Sequence, residues 1–239
     1  RQGEDETDDE MVGKRNTGIS KKGSVVINTD GSKSVNWTIE FNENKNAIYD
    51  FVLNDENTPN TVTIDKNLIK IVDESGNDVT KDFEISDPVN GSFTVKKDKL
   101  ENTKYTLTYT TSLSPAEEAQ EVKNIANIKY RGGDDKAEAN IPKPDLGVRK
   151  TAESLDKESN PKVIKWKIIA NTDEKNKFVN LQNAVLTDTI PADQKLVSGS
   201  VIVKRVGSDE TLPATAITEE DNKFTVQLPN GPYQYEIEL

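Results

Sequence analysis

Val35-Asn36-Trp37-Thr38-Ile39-Glu40-Phe41 alternates apolar and polar side chains without a break. Successive side chains of a strand point to opposite faces, so Val35, Trp37, Ile39 and Phe41 line one face. The alternation returns 129 residues later in Ile164-Lys165-Trp166-Lys167-Ile168, and Gly18-Ile19-Ser20-Lys21 matches Gly147-Val148-Arg149-Lys150 at the same offset. Further on, Val52-Leu53-Asn54-Asp55 matches Val185-Leu186-Thr187-Asp188, and Tyr105-Thr106-Leu107 matches Tyr235-Glu236-Ile237. A repeat that keeps its order and spacing implies two copies of one structural plan.

Outward from these segments, Tyr105, Leu107 and Tyr109 share one face, as do Val122, Asn124, Ala126, Ile128 and Tyr130. Turn-forming runs separate the strands, among them Glu74-Ser75-Gly76-Asn77, Asn90-Gly91 and Gly132-Gly133-Asp134-Asp135. No helical stripe of more than about two turns is present, so the fold class is all-β, two tandem sandwich modules. The boundary falls at Ile141-Pro142-Lys143-Pro144-Asp145, where two prolines stiffen the backbone. The reading gives residues 1–16 as an acidic linker, 17–143 as the first module and 144–239 as the second. Because Leu239 aligns with Tyr109, the second module is expected to lack its C-terminal strand or strands.

The 239-residue chain carries 31 Lys and Arg against 42 Asp and Glu, a formal charge of -11. That balance opposes binding to nucleic acid through bulk charge. The absence of both Cys and His removes thiol nucleophiles, the usual zinc ligand sets and every Ser-His or Cys-His arrangement. Any covalent staple must use other chemistry. No cofactor or metal is expected, since the acidic run Glu4 to Glu10 lacks the glycine and terminal glutamate of an EF-hand loop. No stretch of about 18 apolar residues exists, and neither a signal peptide nor a sorting tail is visible, so the chain reads as an internal fragment without membrane insertion.

Strand parity places three polar residues inside the first module. Lys21 shares a face with Ile19, Asp55 with Phe51 and Leu53, and Asn124 with Val122 and Ala126. Lys150 and Asp188 repeat the first two in the second module, Lys150 on the parity of Val148 and Ala152. Burial lowers a lysine pKa and raises that of an aspartic acid. A neutral Lys21 amine can then attack the Asn124 side-chain carbonyl, with protonated Asp55 polarising the carbonyl oxygen and relaying protons. Ammonia leaves and an isopeptide bond remains. Asn127 is the competing electrophile, but its parity groups it with Ile125 and Lys129. Trp37 and Trp166, which recur among inward apolar neighbours, read as core residues rather than sugar platforms.

The runs Val35 to Asn42, Leu53-Asn54-Asp55, Tyr105 to Thr111 and Val122-Lys123-Asn124, with Leu186-Thr187-Asp188-Thr189-Ile190 and Gln194 to Ser200 in the second copy, resemble collagen-binding-type domains of Gram-positive, cell-wall-anchored adhesins. The resemblance covers about residues 17–239. It implies immunoglobulin-like sandwiches carrying an autocatalytic Lys-Asn isopeptide, with Lys21, Asp55 and Asn124 in the family roles. Lys150 and Asp188 fill the same roles in the second module, whose Asn partner is absent and which is expected to be unbonded. The implied setting is the bacterial cell surface, with wall anchoring through regions outside this chain and neighbouring modules of the same adhesin as partners.

Two function classes follow. The first is a structural stalk module whose covalent tie joins its first and last strands; it is no enzyme beyond that single turnover. The alternative is a ligand-binding module that captures a host extracellular-matrix protein such as collagen, at the junction near Pro142 and Pro144. Exposed aromatics would favour binding, and smooth charged faces the stalk. The core-facing parity of the aromatics leans toward the stalk.

Overall fold

The computed structural model describes residues 17–172 and 179–239, and the acidic run Glu4 to Glu10 lies outside the described residues. The backbone divides into two compact units, one ending at Pro142 and the other beginning at Lys143. Both are all-β and antiparallel.

In the first unit the strands are β1 (Ile19–Ile27), β2 (Lys33–Phe41), β3 (Ile48–Thr58), β4 (Thr63–Ile64), β5 (Lys70–Asp73), β6 (Glu84–Ile85), β7 (Ser92–Leu100), β8 (Tyr105–Leu113), β9 (Val122–Tyr130) and β10 (Gly133–Ile141). One five-stranded sheet runs β1-β2-β8, with β4 and β5 both paired to β8, and the other runs β10-β9-β3-β7-β6. The inner faces form one core in which Val35, Trp37, Ile39, Phe41, Leu53, Leu107 and Ile128 are fully buried. Phe41 stacks on Phe51 at 5.0 Å and on Tyr105 at 5.3 Å, and the Trp37 indole donates to the Thr111 hydroxyl at 3.0 Å. Val35 to Phe41 thus forms the centre of this core.

A one-turn helix, α1 (Pro115–Glu118), joins β8 to β9 under a capping box in which Ser114 and Glu117 satisfy each other's backbone;. Asn42, in the left-handed region at φ 54°, ends β2 and donates to the carbonyls of Asn46, Glu101 and Thr103. Its repeat partner Asn171, at φ 71°, does the same to Val179 and Tyr233.

The second unit contains β11 (Val148–Asp156), β12 (Val163–Ala170), β13 (Val185–Thr189), β14 (Ile202–Arg205), β15 (Ile217–Glu219), β16 (Lys223–Gln227) and β17 (Tyr235–Glu238). Its sheets run β11-β12-β17-β14 and β13-β16-β15, the order of the first unit without a counterpart of β9 and β10 among the described residues. Its core gathers Ile168, Leu186, Val203, Phe224, Val226, Tyr235 and Ile237.

Three expectations change. Gly133-Asp134-Asp135 opens β10 rather than a loop, because small Ala137 and Ala139 supply the inward positions of that strand and Ala139 packs against the core. Asn124 therefore lies in the penultimate strand of its unit. In the second unit, β11 is exposed along its whole length, so Val148, Lys150 and Ala152 are not buried, for want of strands covering their face among the described residues. Trp166 is correspondingly half-buried rather than a core residue.

A further cause for Trp166 lies in one methyl group. Gly23 faces Trp37 across β1 and β2, and a Cβ at Gly23 would stand 2.4 Å from the indole ring. The second unit has Ala152 in that register against Trp166, and its strand bulges between Ala152 and Ser154.

Candidate functional site

β1 supplies Lys21 from one sheet, while β3 and β9 supply Asp55 and Asn124 from the other. Alternation alone aims all three inward, and all three side chains are fully buried. Asp55 sits mid-strand between Phe93 of β7 and Ala126 of β9. Lys21 Nζ donates to Asp55 Oδ2 at 2.6 Å and lies 5.6 Å from the Trp37 ring and 5.9 Å from the Tyr109 ring, where the ring faces favour a cation.

The other carboxylate oxygen, Asp55 Oδ1, accepts from the Tyr109 hydroxyl and from Asn124 Nδ2 at 2.9 Å. Asn124 Nδ2 also lies 2.6 Å from Tyr109 Oη and 2.7 Å from Asn57 Oδ1. Asn57 Nδ2 in turn donates to the Gly91 carbonyl at 2.9 Å and to Tyr109 Oη at 3.0 Å. Asn124 Oδ1 is buried without a hydrogen-bond partner among the described residues, a state that costs about 1–3 kcal/mol for a buried acceptor. The carboxyl group thus faces the amide nitrogen, not the carbonyl oxygen that the sequence reading gave it.

Burial pushes the Lys21 ammonium below its ordinary value, against the opposing pull of the Asp55 charge and hydrogen bond;. Burial also drives the Tyr109 phenol well above its ordinary value, helped by the Asp55 charge. Tyr109 therefore stays a neutral donor at physiological pH. A buried amine of reduced basicity, a carboxyl group and a carboxamide in one dry cluster suit acyl transfer from carboxamide to amine.

Asn127 sits on the opposite face of β9 with Ile125, half-exposed and across from Asn54, away from the cluster. Tyr109 was visible in sequence only as a core-facing aromatic. Asn57 shares the parity of Leu53 and Asp55 but is not among the residues that recur in the second copy.

The second unit keeps the pair but not the enclosure. Lys150 Nζ donates to both oxygens of Asp188 at 3.0 and 2.8 Å, with the lysine side chain 33% and the acid 13% exposed. Lys150 Nζ lies 4.9 Å from the Trp166 ring. Leu239 pairs with Trp166 where Tyr109 pairs with Trp37, and buried Ile190 takes the position of Asn57, two residues beyond the acid. Among the described residues no group of three or more acidic side chains is placed to hold a metal ion, and no helix is long and apolar enough to cross a membrane.

No curated protein matches the chain. Similar solved structures include the collagen binding subdomain of the Enterococcus faecalis surface protein ACE, 15% identical, covering 54% of this chain and 99% of that one with a TM-score of 0.45. The collagen-binding domain of a Staphylococcus aureus adhesin is 15% identical over 52% of this chain and 97% of its own, at a TM-score of 0.41. The C-terminal domain of the Streptococcus agalactiae antigen I/II polypeptide BspA is 10% identical over 92% of this chain and 89% of its own, at 0.37. Over residues 152–238 the chain matches the family described as the collagen binding domain, in keeping with the resemblance carried by its repeated residues.

Proposed function

We propose that this chain is part of a bacterial surface adhesin whose second unit binds an extracellular-matrix protein of the collagen type. The observation that carries the reading is the family match over residues 152–238, and it reverses the order given by sequence, in which the stalk came first. The unit also offers suitable surface. Ile202, Val206 and Tyr233 are exposed near β14, an edge strand, and the Arg205 guanidinium lies 4.7 Å from the Tyr233 ring. Tyr and Arg are the residue types that anchor protein interfaces. The test is surface plasmon resonance over immobilised triple-helical collagen and over heat-denatured collagen. Saturable binding to the triple helix, weakened roughly tenfold or more by Tyr233→Ala, is expected; absence of binding to either form overturns the proposal.

A second reading, supported by the buried cluster of the first unit, is a covalently tied structural module. Its chemistry starts from neutral Lys21 and the acid form of Asp55. Lys21 Nζ attacks Cγ of Asn124, one Nζ hydrogen passes to Asp55 Oδ2, and one carboxyl hydrogen passes from Oδ1 to the departing Nδ2. The Cγ–Nδ2 bond breaks, ammonia leaves, and the carboxyl group is regenerated. The geometry suits this relay because Asp55 spans the two nitrogens, 2.6 Å from the attacking one and 2.9 Å from the leaving one. Intact mass under denaturing conditions tests it. The parent is expected to lack one ammonia, about 17 Da, and Lys21→Ala, corrected for the substitution, to lack nothing. Full mass in the parent sinks the reading.

A further inference from the structure

We infer that Tyr109 and Asn57 are positioning residues for the covalent tie, holding the Asn124 carboxamide by its nitrogen so that Lys21 meets this carboxamide and no other. The inference rests on the covalent-tie reading and deepens it.

Three acceptors surround the two hydrogens of Asn124 Nδ2: Tyr109 Oη at 2.6 Å, Asn57 Oδ1 at 2.7 Å and Asp55 Oδ1 at 2.9 Å. The carbonyl oxygen has no hydrogen-bond partner among the described residues. The group is therefore gripped only at the end that leaves, and its orientation is set by Tyr109 and Asn57 together. Tyr109 is fixed in turn, since it donates to Asp55, accepts from Asn57, and packs edge-on against Phe93 at 4.9 Å.

Asn57 is itself a buried carboxamide next to the same acid, and it is the obvious wrong target. Its nitrogen is tied to the Gly91 carbonyl and to Tyr109, and its oxygen to Asn124. Both ends are engaged, and neither faces the carboxyl group that must protonate a leaving nitrogen. The second unit supplies the contrast. It retains the lysine and the acid but has Leu239 and Ile190 at the two positioning sites, so its pair could not grip a carboxamide by the nitrogen in this way.

The test is intact mass, followed from isolation onward, for the parent, Tyr109→Phe, Asn57→Ala and Asn124→Ala. Phenylalanine keeps the ring against Phe93 and removes the hydroxyl alone. The parent is expected to be short of one ammonia when first isolated. Tyr109→Phe and Asn57→Ala should be isolated largely at full mass and lose ammonia roughly tenfold to a hundredfold more slowly. Asn124→Ala should stay at full mass, with no tie to Asn57. A second readout separates positioning from general destabilisation. In a Lys21→Ala background, where no bond forms, the side-chain amide hydrogens of Asn124 should exchange slowly by NMR. They should exchange faster once Tyr109→Phe is added, while the backbone amides of β9 stay protected. Complete ammonia loss in both variants at isolation overturns the inference and leaves the tie standing. Full mass in the parent overturns both.

Discussion

In an Asn124→Ala chain no tie can form, and Lys21 stays an amine against Asp55. Burial holds its folded pKa below the ordinary 10.5. The unfolded lysine takes up its proton at about 10.4, so between these two values unfolding binds a proton. Raising the pH through that window removes the drive to unfold, and stability rises with pH. Thermal melts at increasing pH below about 10.4 should show this rise in Asn124→Ala and not in a parent whose Lys21 the proposed tie has spent as an amide. Above about pH 10 the trend should reverse, because an unfolded tyrosine ionises there while buried Tyr109 resists. At this scale the sequence was informative wherever period-two alternation settles a direction, as it does for Lys21, Asp55, Asn124 and the outward Asn127. It could not show which end of the Asn124 amide meets Asp55, since that depends on Tyr109 and Asn57 arriving from other strands.

Among the elements, β1 and β2 fit closely at one point. The Trp37 ring lies where a side chain at residue 23 would stand, 2.4 Å from the Cβ position. Gly23→Ala should therefore destabilise the first unit by about 1–3 kcal/mol through overpacking, measured by denaturant unfolding in the Lys21→Ala background; an unchanged midpoint would show that the sheet yields freely there. The strands with large alternating residues, β2, β8 and β9, were legible because Trp37, Tyr105 and Ile128 announce a buried face. β10 was not, since its inward Gly133, Ala137 and Ala139 are too small to register as apolar alternation and its first residues mimic a turn. β11 misled in the opposite way, because Val148 and Ala152 have the correct parity but no strand among the described residues faces them. Parity gives direction, and burial needs a neighbour as well.

Over the whole molecule, the repeat revealed the plan of two all-β units and the prolines near the boundary, but not how the two copies would differ in use. The first unit closes around its Lys-Asp pair and hides it from water. The second leaves the equivalent pair partly in solvent and displays Ile202, Val206 and Tyr233. The exposure of the second pair goes with the lack of a counterpart of β9 and β10 among the described residues, and the pair's surroundings differ at single positions, Gly23 against Ala152, Tyr109 against Leu239 and Asn57 against Ile190, each of which says little until its cross-strand partner is known. Lys21 lies in β1 of one sheet and Asn124 in β9 of the other, so a bond between them spans the sandwich from sheet to sheet. It also subtracts the chain between them from any stretching of the molecule. At about 3.4 Å per residue, the proposed bond would withhold roughly 100 residues, or some 35 nm of contour length, from extension under tension.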